Sequence, residues 1–193
     1  MHTKDKILFE GMELFARQGY EGTSMTNIAN AVGIKKSSLY AHYKNKAGLF
    51  LDVTQKISSD YIDFVKKSLM NEGKNIQETL YLSFLSNVHD LANNDSSIEF
   101  FNRFISYPPE ELKERLLTIM LNSEQNARTL FEDTIKKGQD IGEITTEVTA
   151  KEAANVLYGL LDGLSYETSY YTFDIIEKHG EQMWKVFWRG IKA

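Results

Sequence analysis

The chain has 193 residues, 22 Lys and Arg against 27 Asp and Glu, a formal net charge of −5 and a pI near 5.5. That length suffices for one or two small domains with a real core, and the absence of cysteine excludes disulfides and thiolate chemistry. No apolar run is long enough for a transmembrane helix, and the opening MHTKDKILFEG lacks the apolar stretch of a signal peptide; these features favour the cytoplasm and no membrane association.

The pattern predicts a first helix over residues 3–19, with Ile7, Leu8, Met12, Phe15 and Ala16 as its core stripe and Gly19 at its end. In the second helix Met25, Ile28, Ala29 and Val32 recur at helical spacing, and Thr23 or Ser24 can cap its N-terminus. Gly33 stops it and can take the positive φ of a tight turn. A third helix follows from about Lys36 to Tyr43, with Leu39 and Tyr43 inward and Lys36, Ser37, Ser38, Tyr40 and His42 outward. Two short helices around a glycine form a helix-turn-helix pattern, whose second helix enters the major groove of DNA.

Charge supports that orientation. Residues 1–50 hold seven Lys and Arg against four acids, a net of +3, which leaves −8 for the remainder. From Lys35 to Lys46 there are four lysines and no acid. A basic head on an acidic body suits a phosphate-facing module.

The fourth helix begins near Lys46 and extends to about Met70, with Phe50, Val53, Ile57, Tyr61 and Phe64 along one face. Residues 71–75 form a break, after which Asn75 and Glu78 read as a capping pair opening helix five. Residues 93–95 break the pattern again, and Ser96 with Glu99 reads as a capping box for a short helix carrying Phe100, Phe101, Phe104 and Ile105. Pro108 and Pro109 end that helix and start the next, from about Glu110 to Lys137, with Gly138 as the expected C′ residue. Thr149 and Glu152 form a third capping box for helix eight, whose Ala153, Ala154, Gly159 and Gly163 permit close helix approach. The last helix, about Asp174 to Lys192, carries Ile176, Met183, Trp184, Phe187 and Trp188. The fold class is all-α: about nine helices, an N-terminal three-helix head and a C-terminal helical bundle body.

The ordered residues of the head carry a closer resemblance. Leu14-Phe15-Ala16-Arg17-Gln18-Gly19-Tyr20, Gly22-Thr23-Ser24-Met25-Thr26-Asn27-Ile28-Ala29 and Gly33-Ile34-Lys35-Lys36-Ser37-Ser38-Leu39-Tyr40-Ala41-His42-Tyr43-Lys44-Asn45-Lys46, followed by Leu49 and Phe50, resemble the TetR family of bacterial transcriptional repressors. The motif covers residues 4–50; beyond it the chain shares length and all-helical layout with that family. The resemblance implies a DNA-binding domain over 1–46 and a ligand-binding and dimerisation domain over 47–193. It assigns Tyr40 a phosphate contact and Tyr43 a place in the core. Ser37 stands where the family often has glycine, so readout can differ there.

Lys36, Ser37 and Ser38 are placed to reach base edges or phosphates, Thr26 and His42 to reach phosphate, and Lys35 and Lys44 to assist electrostatically. Lys46 at the start of the fourth helix is expected to clamp phosphate. The resemblance also implies a small, largely apolar effector. Tyr61, Phe64, Tyr81, Phe84, Phe100, Phe101, Phe104 and Tyr107 are the candidates for a shared aromatic interior, against a plain-core alternative. Asn87, His89 and Asn102 could add polarity. Leu157, Leu160, Leu161, Leu164, Trp184, Phe187 and Trp188 present more apolar surface than one monomer core should take, and the resemblance pairs these helices with a second copy.

The expected partners are therefore a palindromic DNA operator, a small-molecule effector and a second copy of the chain, with no cofactor. An enzyme is not expected. The chain has no Gly-rich phosphate loop, H-E-x-x-H or G-x-S-x-G. Its four histidines, 2, 42, 89 and 179, have no metal-ligand spacing. Glu110 and Glu111 suit a helix start. The competing reading is an all-helical DNA- or protein-interaction module without an effector.

Overall fold

The computed structural model describes residues 2–70, 75–92 and 96–193. Helices account for nearly all of its regular structure: α1 Thr3–Gly22, α2 Met25–Val32, α3 Lys36–His42, α4 Lys46–Met70, α5 Ile76–Ala92, α6 Ser96–Ser106, α7 Lys113–Asp140, α8 Ala150–Glu167 and α9 Phe173–Ile191. A 3-10 turn, Glu110–Leu112, precedes α7, and the only pairing of extended backbone among the described residues is a bridge between Ile144 and Lys192. The all-α expectation holds. The breaks expected at 71–75 and 93–95 lie, apart from Asn75, outside the described residues.

Local chemistry explains most boundaries. Ser24 caps α2 by accepting from the Asn27 backbone N–H at 3.1 Å, and Asn27 returns a bond to the Ser24 N–H at 3.2 Å. Asn45 accepts from Gly48 N–H and Asn75 from Glu78 N–H, each at 2.8 Å. Thr149 and Glu152 close the reciprocal box on α8. Such caps contribute about 1 kcal/mol each. Gly19 breaks the regular run of α1 with φ 74° and ψ 173°.

Two expected terminal features are corrected. Ser96 is the first residue of α6, and its hydroxyl donates to the Glu13 carboxylate. Gly138 lies inside α7 rather than after it. A Cβ there would sit 2.6 Å from Ile144 Cδ1 and 2.9 Å from Ile76 Cγ2, so glycine is required by close approach. The positive φ beyond α7 falls to Gly142, at 77°.

The chain forms two compact units, Met1–Asp60 with Asn94–Ser123, and Tyr61–Asn93 with Glu124–Ala193. The first, the head unit, extends past the three helices of residues 1–46: it takes in the start of α4, all of α6 and the start of α7. Its core centres on Phe50, fully buried. Phe50 meets Phe15 and Tyr20 at ring-centroid distances of 5.1 Å each, Phe100 at 5.2 Å and Phe104 at 4.8 Å. Burying one such side chain contributes about 1.5–3 kcal/mol.

The second unit, the body, packs Val65, Leu80, Phe84, Phe131, Leu157, Leu164, Trp184 and Phe187 into its own core. It also buries polar groups. The hydroxyls of Ser68 and Ser83 lie 2.6 Å apart, and Asn87 Nδ2 donates to the Ser83 carbonyl at 2.8 Å. No helix among the described residues is long and apolar enough to cross a membrane.

The aromatic interior expected to be shared is divided. Phe100 and Phe104 belong to the Phe50 core, while Tyr61, Phe64, Tyr81 and Phe84 belong to the body. Phe101 is 40% and Tyr107 82% exposed, so neither lines an interior. A helical stripe shows that α6 has an apolar face, not which neighbour covers it.

Candidate nucleic-acid interface

The head presents α3 on a scaffold that leaves its outer side chains uncommitted. Gly33 ends α2 in the left-handed conformation, φ 77° and ψ 31°. The Gly33 N–H donates to Asn30 O at 3.1 Å and the Ile34 N–H to Ala29 O at 3.0 Å, closing the α2 end before the chain turns. Lys6, reaching from α1, donates through Nζ to the Val32 carbonyl at 2.9 Å. Leu39, fully buried, and Tyr43, 6% exposed, then fasten α3 to the core.

Leu39 is the only buried residue of α3, so Lys36, Ser37, Ser38, Tyr40, Ala41 and His42 all face outward. Lys35 and Lys44 flank them and are also exposed, as is Thr26 in the first turn of α2. Lys35, Lys36 and Lys44 form no ion pair among the described residues. Lys36 Nζ lies 5.9 Å from the centroid of the Tyr40 ring, a loose cation–π pair that sets both on one side of α3. Lysine and serine can bond base edges or phosphates, and the Tyr40 hydroxyl can donate to a phosphate oxygen. The Ala41 methyl is also exposed, between Tyr40 and His42.

Lys46 departs from its expected role. Its ammonium donates to the Tyr20 carbonyl at 2.6 Å, sits 4.0 Å from the Tyr20 ring centroid and lies 3.7 Å from a Glu21 carboxylate oxygen. It is turned inward, tying the start of α4 to the end of α1. Thr23 reinforces that corner by donating to Gly19 O at 2.8 Å. Tyr20 in turn donates to Glu111 Oε1 at 2.8 Å, and burial first, then this carboxylate, raises the phenol pKa. Tyr43 is core, and its buried hydroxyl has no partner within bonding geometry; burial, with Asp52 nearby, raises its pKa.

The body holds the remaining candidates. Tyr61 donates to Asn87 Oδ1 over 3.4 Å, and desolvation followed by the neighbouring Tyr158 hydroxyl pushes its pKa well up. Arg128 sits 4.4 Å from the Tyr158 ring centroid, pairs with Glu124 at 2.7 Å and approaches Asp162 at 3.9 Å. Asp162 is half-exposed, yet desolvation beside this pair and the Glu124 charge raise its pKa to about 6, with Arg128 opposing. Asn87 is buried, whereas His89 is exposed and pairs with Glu177 at 2.8 Å; Asn102, on α6, is half-buried.

The apolar set expected to be left over on the last two helices is mostly consumed within the chain. Leu157, Leu161, Leu164, Trp184 and Phe187 are buried, and Leu160 and Trp188 partly so. What stays outside is Val156, Tyr166, Ile175 and Val186, with open space where a Cβ of Gly159 or Gly163 would stand. The small residues of α8 thus divide: Ala153 and Ala154 are buried, whereas the two glycines touch nothing in their own chain.

A short helix anchored by two buried residues, with a polar and basic outer surface, defines a helix-turn-helix DNA-binding module. Residues 7–53 match the family described as bacterial regulatory proteins, tetR family, and residues 74–192 match the tetracyclin repressor-like C-terminal domain. The chain belongs to the TetR family of transcriptional regulators, which are not enzymes.

Among curated relatives, it is 38% identical over 65 residues to the biofilm operon icaADBC negative transcriptional regulator IcaR of Staphylococcus epidermidis, covering 34% of this chain and 35% of that protein. It is 32% identical over 88 residues to IcaR of Staphylococcus aureus, covering 46% and 47% respectively. The matched stretches thus span between a third and a half of those relatives. The fold also matches a TetR-family regulator from Mesorhizobium loti, with a TM-score of 0.85, 20% identity and coverage of 99% of this chain and 97% of that one.

Proposed function

We propose that the protein is a cytoplasmic, homodimeric repressor that binds a palindromic operator and is released by a small, largely apolar effector. The observation that carries the DNA part is α3 itself: Lys36, Ser37, Ser38, Tyr40 and His42 are all exposed on a helix whose buried residue is Leu39. In this reading Thr26, Lys35 and Lys44 add phosphate contacts, while Lys46 positions the helices and does not touch DNA. Repression follows the printed role of the IcaR relatives, negative transcriptional regulation.

Dimerisation is supported by the outer face of α8 and α9, where Val156, Gly159, Gly163 and Val186 leave room for a second copy's helices. Two-fold symmetry would then match two half-sites. The effector reading is supported by the body's interior polar groups, Tyr61, Asn87 and Tyr158, set among apolar side chains; Tyr61, Phe64, Tyr81 and Phe84 are the aromatic candidates that remain there.

The test is binding of the purified protein to its own promoter duplex and to a random duplex across a salt series. Specific affinity should exceed non-specific affinity by about 10³-fold or more, and log affinity should fall linearly with log salt. Equal affinity for both duplexes would sink the proposal. Tyr40→Phe should weaken specific binding by about 1–2 kcal/mol if the hydroxyl meets phosphate, and unchanged affinity removes that contact.

A further inference from the structure

The body as a whole is acidic, but the end of α9 is not. From Lys185 to Lys192 the sequence carries three cations, Lys185, Arg189 and Lys192, and no acid. None of the three forms an ion pair among the described residues. They surround aromatic surface. Trp188 stacks on Trp184 with centroids 5.9 Å apart and planes 15° apart, and Trp184 faces Tyr81 at 5.3 Å. With Gln77 from the first turn of α5, the two tryptophans and three cations line an open groove of about 400 Å³.

We infer that this groove between the start of α5 and the end of α9 binds a small organic anion with a planar aromatic body. The partly exposed Trp188 indole, backed by the buried Trp184, takes the planar part by stacking. The guanidinium of Arg189 offers a flat pair of donors to a carboxylate or sulfonate, with Lys185 and Lys192 adding charge. The volume lies in the range of small-molecule sites. Gln77 also lines a neighbouring recess with Asn75, Glu78 and Tyr81.

The rim is held in place. The Thr145 N–H donates to Ile191 O at 2.8 Å and the Ala193 N–H to Glu143 O at 3.2 Å, fixing the end of α9 against the connection after α7. Cations in a last helical turn also offset the helix dipole. That role accounts for Arg189 but not for Lys185, about one turn earlier, nor for the partly exposed Trp188 indole among them.

The chain contains two tryptophans, and both line the groove, so intrinsic fluorescence reports on it directly. The full chain is titrated with 2-naphthoate, with neutral 2-naphthamide and with sodium sulfate, by tryptophan emission and isothermal titration calorimetry. Saturable naphthoate binding below millimolar concentration is expected, with the amide and sulfate each about tenfold weaker or worse. The double variant Lys185→Gln/Arg189→Gln should weaken naphthoate about tenfold at unchanged helical content. Arg189→Lys, which keeps the charge but loses the flat donor pair, should give an intermediate loss. Failure of naphthoate to saturate at millimolar concentration, equal binding of amide or sulfate, or indifference to both variants each overturns the inference.

Discussion

The head and the body place their interior and half-buried polar groups with different emphasis, although side-chain pairs such as Tyr20 with Glu111 occur in the head as well. In the head, Lys6 closes the end of α2, Lys46 reaches the Tyr20 carbonyl and Thr23 the Gly19 carbonyl. These side chains finish helix ends around an apolar centre, so they fix the angle at which α3 is presented. In the body, side chains meet one another inside the bundle, Ser68 with Ser83 and Tyr61 with Asn87, and nearer the surface Arg128 pairs with Glu124 beside Tyr158. The head thus ties helix ends to neighbouring helices, while the body adds side-chain pairs to its apolar core.

The largest expected effect tests whether the head is organised as one apolar cluster. Phe50→Ala should cost about 3–5 kcal/mol and abolish specific DNA binding, because Phe50 is the common neighbour of Phe15, Tyr20, Phe100 and Phe104. Both tryptophans lie in the body, so fluorescence-detected urea unfolding should shift less than loss of DNA binding does. Coincident shifts would mean that the two regions unfold as one, and the contrast between them would lose its energetic meaning.

A pair of glycines gives the next effect. Gly138→Ala should destabilise by about 1–3 kcal/mol through overlap with Ile144 and Ile76. Gly159→Ala meets open space in its own chain and should stabilise the isolated chain by up to about 1 kcal/mol through helix propensity. Thermal melting checks the first. For the second, loss of dimer mass in sedimentation would place a partner helix over Gly159, and a stabilised dimer would place that partner elsewhere.

The smallest effect concerns the charged corner of the body. The Asp162 pKa is raised from its ordinary value to about 6, so the folded state binds its proton more tightly than the unfolded state. Stability from this group is therefore greatest below pH about 4 and declines as pH rises through 6. Asp162→Asn should be at least as stable as the natural chain at pH 7.5, with that advantage shrinking toward pH 4. A loss of stability at neutral pH would show that attraction to Arg128 outweighs both desolvation and the Glu124 charge.

Periodicity in the sequence determined the helices and most of their ends, because spacing, caps and glycine conformations act within a few residues of one another. It also identified the outward side of α3, since Leu39 and Tyr43 leave no other inward positions on so short a helix. Which apolar face meets which neighbour was decided only by tertiary packing. Phe100 and Phe104 of α6 read as companions of Phe84 but joined Phe50; Leu157, Leu161, Leu164 and Trp184 read as surplus but are buried in the body's own core. Lys46 was legible as a basic residue beside DNA-facing helices, yet the nearby Tyr20 carbonyl and ring draw it inward. Local chemistry is written in neighbouring residues, whereas the choice of a packing partner depends on segments far apart in the chain, where several apolar stripes compete for the same cover.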